Sequence, residues 1–374
     1  MTRGVLCLAA ALGVPLVPVA RPARANMASP VQPGTPAGEP AAALAGLRIA
    51  RETLTLDLRP LAAPRAGDVR FATVEAVYGV VNEGAARVLP LEFVALGADV
   101  EAGQVWLDGV PVPAVAVARL AVPALWTGID AAPGLDGVPI PYEAEVGTPR
   151  GLRFAVALGA GAHQVRVRYR VRAGSLDAGG RANRTWQVAY SLAPARLWAG
   201  FGQLDVAVLV PAGWEAAASL PLRRAVDADG GARLVGRFAG LPGDVLAVSA
   251  RAPEPPLRRV LHGLAFVAAL AVAGVFGALG GVAVARRGAR TAWALPVSLL
   301  GGVGAAAALV ALRSIADGLG DSNALGYGAM IVNVVVLGPA VVVLGTLVAQ
   351  VVAGIVARRV RPAAGETFGR HTRN

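Results

Sequence analysis

Four arginines alternate with core-type residues in Val165-Arg166-Val167-Arg168-Tyr169-Arg170-Val171-Arg172, the sharpest chemical pattern in the chain. Successive side chains of a strand point to opposite faces. Val165, Val167, Tyr169 and Val171 are therefore expected to face a core. Arg166, Arg168, Arg170 and Arg172 then form a stripe about 20 Å long on the other face. Like charges so close repel one another. Either acids on neighbouring strands offset them, or an anionic partner does: lipid headgroups, an acidic glycan or an acidic protein face. The plain alternative is a solvated, locally balanced face in a protein whose 35 basic residues are all arginine.

A second group is aromatic: Trp186, Tyr190, Trp198, Phe201 and Trp214. Aromatic platforms bind sugar rings. Trp186, Val188, Tyr190 and Leu192 share a face at period two, however, and core burial is the default reading. Trp126 differs, because Leu125-Trp126-Thr127-Gly128 opens a Pro/Gly-rich stretch, which makes it a candidate loop contact.

Catalytic constellations find little footing. The three histidines, His163, His262 and His371, fall in three separate compartments of the layout below and cannot share one metal. There is no Gly-x-Ser-x-Gly elbow and no phosphate-binding glycine loop. Glu143 and Glu145 stand beside Tyr142, but glycosidase carboxylate pairs normally come from distant strands. Cys7 is the only cysteine and lies in an N-terminal apolar run, so no disulfide or thiolate site is expected in the mature chain. No cofactor and no metal are expected. Asn183-Arg184-Thr185 matches a glycosylation sequon, expected to be idle in a bacterium.

The elements that must carry these residues are mostly strands. Thr53–Leu58, Val69–Val81, Arg87–Leu96, Leu152–Leu158, His163–Arg172, Thr185–Leu192, Gln203–Val210, Arg233–Phe238 and Val245–Ala250 all read as strands. Asp108-Gly109, between Gln104–Leu107 and Val110–Val112, reads as a two-residue hairpin turn. The expected class is a mainly β ectodomain, one or two Ig-like β-sandwich domains, with a membrane domain of three helices. Its parts are 46–125 and 151–252, with the Pro/Gly-rich 126–150 as a loop or junction.

Three apolar runs follow: Val260–Ala285, Ala292–Leu312 and Gly326–Ala357, of 26, 21 and 32 residues without an acid or an arginine. A helix needs about 20 such residues to cross the hydrocarbon. The expected spans are 258–286, 291–313 and 326–357, followed by a basic tail at 358–374. Gly277 and Gly281 form a Gly-x-x-x-Gly pair and Gly301 lies on the second span; such positions let helices approach closely. They serve packing among the three helices or docking to another membrane subunit. Asn333 is expected to hydrogen-bond between helices.

Charge supports the same layout. The net charge of +11 would suggest a nucleic-acid partner, but its location overturns that. Residues 26–257 hold 21 arginines and 21 acids, whereas 258–374 hold 11 arginines and three acids. Residues 1–25 carry Arg3 before an apolar run and end in Ala23-Arg24-Ala25, the parts of a secretory signal. Cleavage is expected after Ala25, with an uncleaved anchor as the alternative, and 26–45 is expected to be a disordered tether. Export puts Arg286, Arg287, Arg290 and the tail inside, as the positive-inside rule requires. Arg258 and Arg259 stand on the wrong side of that rule. The lysine-free, Ala/Gly/Arg-rich composition points to a GC-rich bacterial genome.

Val74-Glu75-Ala76-Val77-Tyr78, Asn82-Glu83-Gly84 and Leu91-Glu92-Phe93, with Trp186–Trp214, resemble bacterial envelope proteins. Those proteins have a signal peptide, a β-sandwich ectodomain and C-terminal transmembrane helices. The resemblance implies residence in the cytoplasmic membrane with the β region outside the cytoplasm, and it carries no site residue across. The function expected is a non-catalytic binding or assembly module. Its partners would be the bilayer, a membrane or periplasmic protein and cell-wall glycan, and not nucleic acid. An accessory subunit of a transport or secretion complex, and an envelope enzyme acting on glycan or lipid, stand as alternatives.

Overall fold

The computed structural model describes residues 31–32, 37–38, 44–63, 69–95, 103–118, 129–142, 150–177, 183–226, 231–287, 291–320 and 338–360. The strands begin with β1 (Val31–Gln32), β2 (Ala37–Gly38), β3 (Leu44–Asp57), β4 (Phe71–Asn82) and β5 (Arg87–Ala95). Then come β6 (Gln104–Leu107), β7 (Val110–Val112), β8 (Ala114–Ala118), β9 (Ala131–Ala132) and β10 (Ile140–Pro141). β11 (Arg150–Leu158), β12 (Gly161–Arg172), β13 (Gly174–Leu176), β14 (Thr185–Ser191) and β15 (Trp198–Val210) follow. β16 (Glu215–Ala218), β17 (Arg223–Val226), β18 (Ala232–Phe238) and β19 (Val245–Arg251) complete the β region.

Period-two patterning decides which side of each strand is dry. In β4 every second residue from Ala72 to Asn82 is buried. In β12, Val165, Val167, Tyr169 and Val171 are buried while the arginines between them are not. Each fully buried Val, Leu or Tyr is worth about 1.5–3 kcal/mol. A slip of one residue would forfeit the whole row and expose it.

The sheets depart from an Ig-like sandwich. The largest runs β17-β18-β15-β3-β4-β12-β6-β7 and has a parallel pair, β3 with β15, in its interior. A second runs β1-β13-β14-β19-β16, with β2 pairing β14 in parallel. A third, β5-β11-β8, closes over the same core. Strands before and after the Pro/Gly-rich stretch interleave in the large sheet, and residues of both parts share one buried cluster. The 126–150 stretch is therefore no boundary between two cores. Its described part folds into the β9–β10 hairpin, and Ala132 and Tyr142 there cover Ala189 of β14 and Ala247 of β19. β14 is consequently buried on both faces. The 26–45 segment, expected to be a featureless tether, supplies β1, β2 and the start of β3. Backbone pairing of so few residues needs no hydrophobic period and leaves no signal in composition.

Among the described residues three helices follow: α1 (Pro256–Arg286), α2 (Leu295–Asp317) and α3 (Gly338–Val360), each long and apolar enough to cross a membrane. A 3-10 turn, Thr291–Ala294, precedes α2. Asp317, beyond the expected 291–313 span, lies in the last turn of α2. A hydropathy run stops at the first charge, whereas helical hydrogen bonding does not. α3 carries Arg358 and Arg359 in its last turn; Asn333 lies outside the described residues.

Candidate functional site

The outer face of the large sheet gathers charge from five strands. Arg166, Arg168, Arg170 and Arg172 of β12 stand opposite Val77, Glu75, Thr73 and Phe71 of β4. On the other side, Arg166 and Arg168 face Trp106 and Gln104 of β6. Arg166 donates to Glu75 Oε2 at 2.8 Å, and the Arg168 guanidinium reaches the same oxygen only at 4.0 Å. The Arg166 guanidinium lies 4.7 Å from the Trp106 ring centre, and that of Arg170 lies 4.5 Å from Phe71. Three strands from β12, Asp205 of β15 accepts from Arg51 of β3 at 2.5 Å and from Arg237 of β18 at 2.7 Å. Burial pulls the Asp205 carboxyl upward, but hydrogen bonds from Arg237, Gln203 and Arg51 outweigh it and hold the group below its ordinary range.

Arg166 and Arg168 thus share Glu75, Arg51 and Arg237 share Asp205, and Arg170 stacks on Phe71. Exposed pairs of this kind each contribute about 0–1 kcal/mol. The arrangement adds little to folding and leaves the face basic. The Asp205 cluster was missed in the sequence, because its members lie up to 154 positions apart. The only hint was an acid on the polar parity of a strand.

At the edge of this sheet, Asp108 (φ 50°) and Gly109 (φ 81°) make the β6–β7 turn, where both residues need positive φ. His163 Nδ1 lies 2.8 Å from Asp108 Oδ2 and its Nε2 lies 3.1 Å from the Gly159 carbonyl. Both ring nitrogens face acceptors, so the imidazolium is the form that satisfies both. The hydrogen bond to Asp108 raises the His163 pKa, and the same bond lowers that of Asp108. The histidine contribution is complete below its unfolded value of about 6.5 and is lost as pH rises through the higher folded value. The aspartate contribution is present above about 3.9 and is lost as pH falls through its depressed value. Amide protection in Asp108–Val112, corrected for intrinsic exchange, should therefore fall severalfold as pH is raised from about 6 to 9. A His163→Gln variant should show no such fall.

The aromatic group resolves into core. Trp186, Tyr190, Trp198 and Trp214 are buried, Phe201 packs against them, and the Tyr190 hydroxyl lies 3.0 Å from that of Tyr78. Tyr142 is buried too, which pushes its phenol well above the ordinary range. Trp126, Glu143 and Glu145 lie outside the described residues. The sequon residue Asn183 is buried and donates to the carbonyls of Ala252 (3.2 Å) and Pro253 (2.8 Å), so its amide holds the β19–α1 connection.

That connection leads to a charged joint. Arg258, with its side chain 7% exposed, donates to Glu254 at 2.6 Å and to Asp317 of α2 at 3.1 Å. His262 Nε2 lies 3.1 Å from the same Asp317 oxygen. The two arginines at odds with the positive-inside pattern are thus tied to acids, Arg259 through Glu254 at 3.0 Å. Farther along, Gly277 and Gly281 of α1 face α3: a Cβ on Gly277 would lie 2.8 Å from Ala349 Cα, and one on Gly281 2.6 Å from the Ala353 carbonyl. A Cβ on Gly301 of α2 would lie 2.8 Å from Phe276 Cβ of α1. All three glycines are occupied within the bundle.

Among the described residues, no group of three or more His, Cys, Asp or Glu side chains is placed to hold a metal. Fold and site together define a sheet-rich domain with a basic outer face, joined by a short, hydrogen-bonded connection to three membrane-length helices. No family model and no curated protein matches the chain. A solved structure from Legionella pneumophila described as a nutrient-binding protein is similar over 59% of this chain and 72% of its own, at 10% identity and a TM-score of 0.42. An M1 zinc metallopeptidase of Deinococcus radiodurans is similar over 54% of this chain and 42% of its own, at 17% identity and 0.28. Leukotriene A4 hydrolase of Saccharomyces cerevisiae follows at 9% identity and 0.30, over 56% and 30%.

Proposed function

We propose that this protein is a membrane-anchored, non-catalytic binding module of the bacterial cell envelope. Its β domain stands outside the cytoplasm, and the outer face of its large sheet receives an anionic partner. The observation that carries this reading is that, among the described residues, Glu75 is shared by Arg166 and Arg168 and Asp205 by Arg51 and Arg237 on one exposed face, while Arg170 is stacked on a ring. Helix polarity supports the orientation. Arg286, Arg287, Arg358 and Arg359 fall at one end of the bundle, while Arg258 at the other is matched by Glu254 and Asp317. Trp293, 75% exposed beside the arginine-rich end, suits a headgroup-level anchor. The accessory-subunit alternative gains less, because the close-approach glycines are taken up inside the bundle.

The test replaces Arg51, Arg166, Arg168, Arg170 and Arg237 with glutamine in the full chain. Capture by anionic envelope fragments at low salt should drop at least tenfold, with a shallower salt dependence in what remains. Unchanged capture with intact folding would remove the face from any binding role.

A further inference from the structure

We infer that the anionic partner is a linear polymer bearing phosphate or carboxylate groups, laid along β12, and not a planar lipid surface. This deepens the binding reading above and rests on it. The spacing is the first support. Arg166, Arg168 and Arg170 stand two residues apart on one face of one strand, which sets the roots of successive side chains about 6.7 Å apart in a row. A row of that kind matches charges repeated along a chain, whereas a single small anion would meet one or two of its members.

Stacking is the second support. Arg166 lies over Trp106 and Arg170 over Phe71, so a ring holds one face of each guanidinium. Arg166 gives one N–H to Glu75, whereas stacking leaves the N–H edge of Arg170 turned to oxygen, and a planar fork suits paired oxygens of phosphate or carboxylate. The rings also cost the arginines side-chain freedom before any ligand arrives, which favours binding. Hydroxyl-bearing Thr53, Thr55 and Thr73 share this face and offer neutral contacts between the charges.

The same two aromatics argue against a bilayer. Surface-lying membrane contacts bury apolar side chains below the headgroups. Here the largest apolar groups beside the row, Trp106 and Phe71, lie under guanidiniums and are only partly exposed. Beside the row, the sheet thus presents charge outermost, with its rings beneath.

The experiment uses the full chain in discs of zwitterionic lipid. Four probes are compared at fixed ionic strength: linear polyphosphate, polygalacturonate, inorganic phosphate and phosphatidylglycerol vesicles. Either polymer should bind at least tenfold more tightly per anionic group than inorganic phosphate does. The triple variant R166Q/R168Q/R170Q should lose tenfold or more of that affinity, and Arg196→Gln, on a separate surface pair with Asp244, should lose none. Which polymer binds decides between phosphate and carboxylate chemistry. Arginine-dependent binding to the vesicles without polymer binding would overturn the linear-chain inference and leave the anionic-partner reading standing. Polymer binding that ignores the triple variant would overturn the placement on β12. Loss of every arginine-dependent signal, in these probes and in envelope fragments, would overturn both.

Discussion

Replacing Gly302 with valine should separate α2 from α3 and cost the bundle about 3 kcal/mol or more, at the upper end of what overpacking costs in tight cores. A Cβ there would lie 3.0 Å from Thr346 N and closer still to the Val342 carbonyl, and both are backbone atoms. A flexible neighbour swings aside; a helix backbone moves only by moving its helix. Gly345 mirrors the problem, since its own Cβ would lie 3.0 Å from Gly302 Cα. Helices in lipid gain no hydrophobic force from meeting one another, so close van der Waals contact carries much of their association. Gly274 of α1 has no atom within 4 Å of its Cβ direction and supplies the control. Gly274→Ala should leave the bundle intact or stabilise it by up to about 1 kcal/mol through helix propensity. Detergent-induced unfolding of the full chain, followed by a fluorophore pair on α2 and α3, reads both. Equal midpoints for Gly302→Val and wild type would mean that these two helices do not touch as described.

How far the sequence carries can be argued from single strands. Alternation in Val165–Arg172 was enough to place Val165, Val167, Tyr169 and Val171 in the core, because period two is a local property of a strand. Asp108-Gly109 was legible for the same reason: positive φ is a requirement of two adjacent residues. Which strand lies beside which was not legible. The parallel pairing of β3 with β15 brings Thr53 beside Asp205, and neither segment's pattern depends on that neighbour. The Asp205 cluster inherits the same blindness, since Arg51 and Arg237 reach it only through sheet order. The pairing of Arg258 with Asp317 was hidden likewise, that acid lying 59 positions downstream at the end of a different helix. Side chains facing the core announce themselves by spacing. Charges that find distant partners announce only their existence.

That hidden pair carries the other large expectation. Arg258→Ala should destabilise the junction of β domain and bundle by about 3 kcal/mol, the lower part of the range for breaking a buried ion pair. The lower part applies because Asp317 is 18% exposed, whereas the arginine is 7%. Removing the guanidinium leaves Asp317 with His262 Nε2 at 3.1 Å as its remaining neighbour among the described contacts. Asp317→Ala should cost less, since Arg258 keeps Glu254 at 2.6 Å. The double variant should then fall short of the sum, a coupling that a double-mutant cycle measures directly. The position of the joint decides what is seen. β19 ends at Arg251 and α1 begins at Pro256, so Asn183 and Arg258 grip the connection from opposite ends. Losing one grip should widen the distance distribution between spin labels on β19 and α2 while β-domain amide protection persists. Hydrogen bonds from Arg258 and then Arg259 hold the Glu254 carboxyl below its ordinary range. A depressed carboxylate stabilises above its unfolded value of about 4.3 and ceases to do so as pH falls through the lower folded one. Wild type should therefore show the same widening on acidification, and an Arg258→Ala chain, already widened at neutral pH, should respond much less. Identical acid responses in the two chains would place the hinge elsewhere.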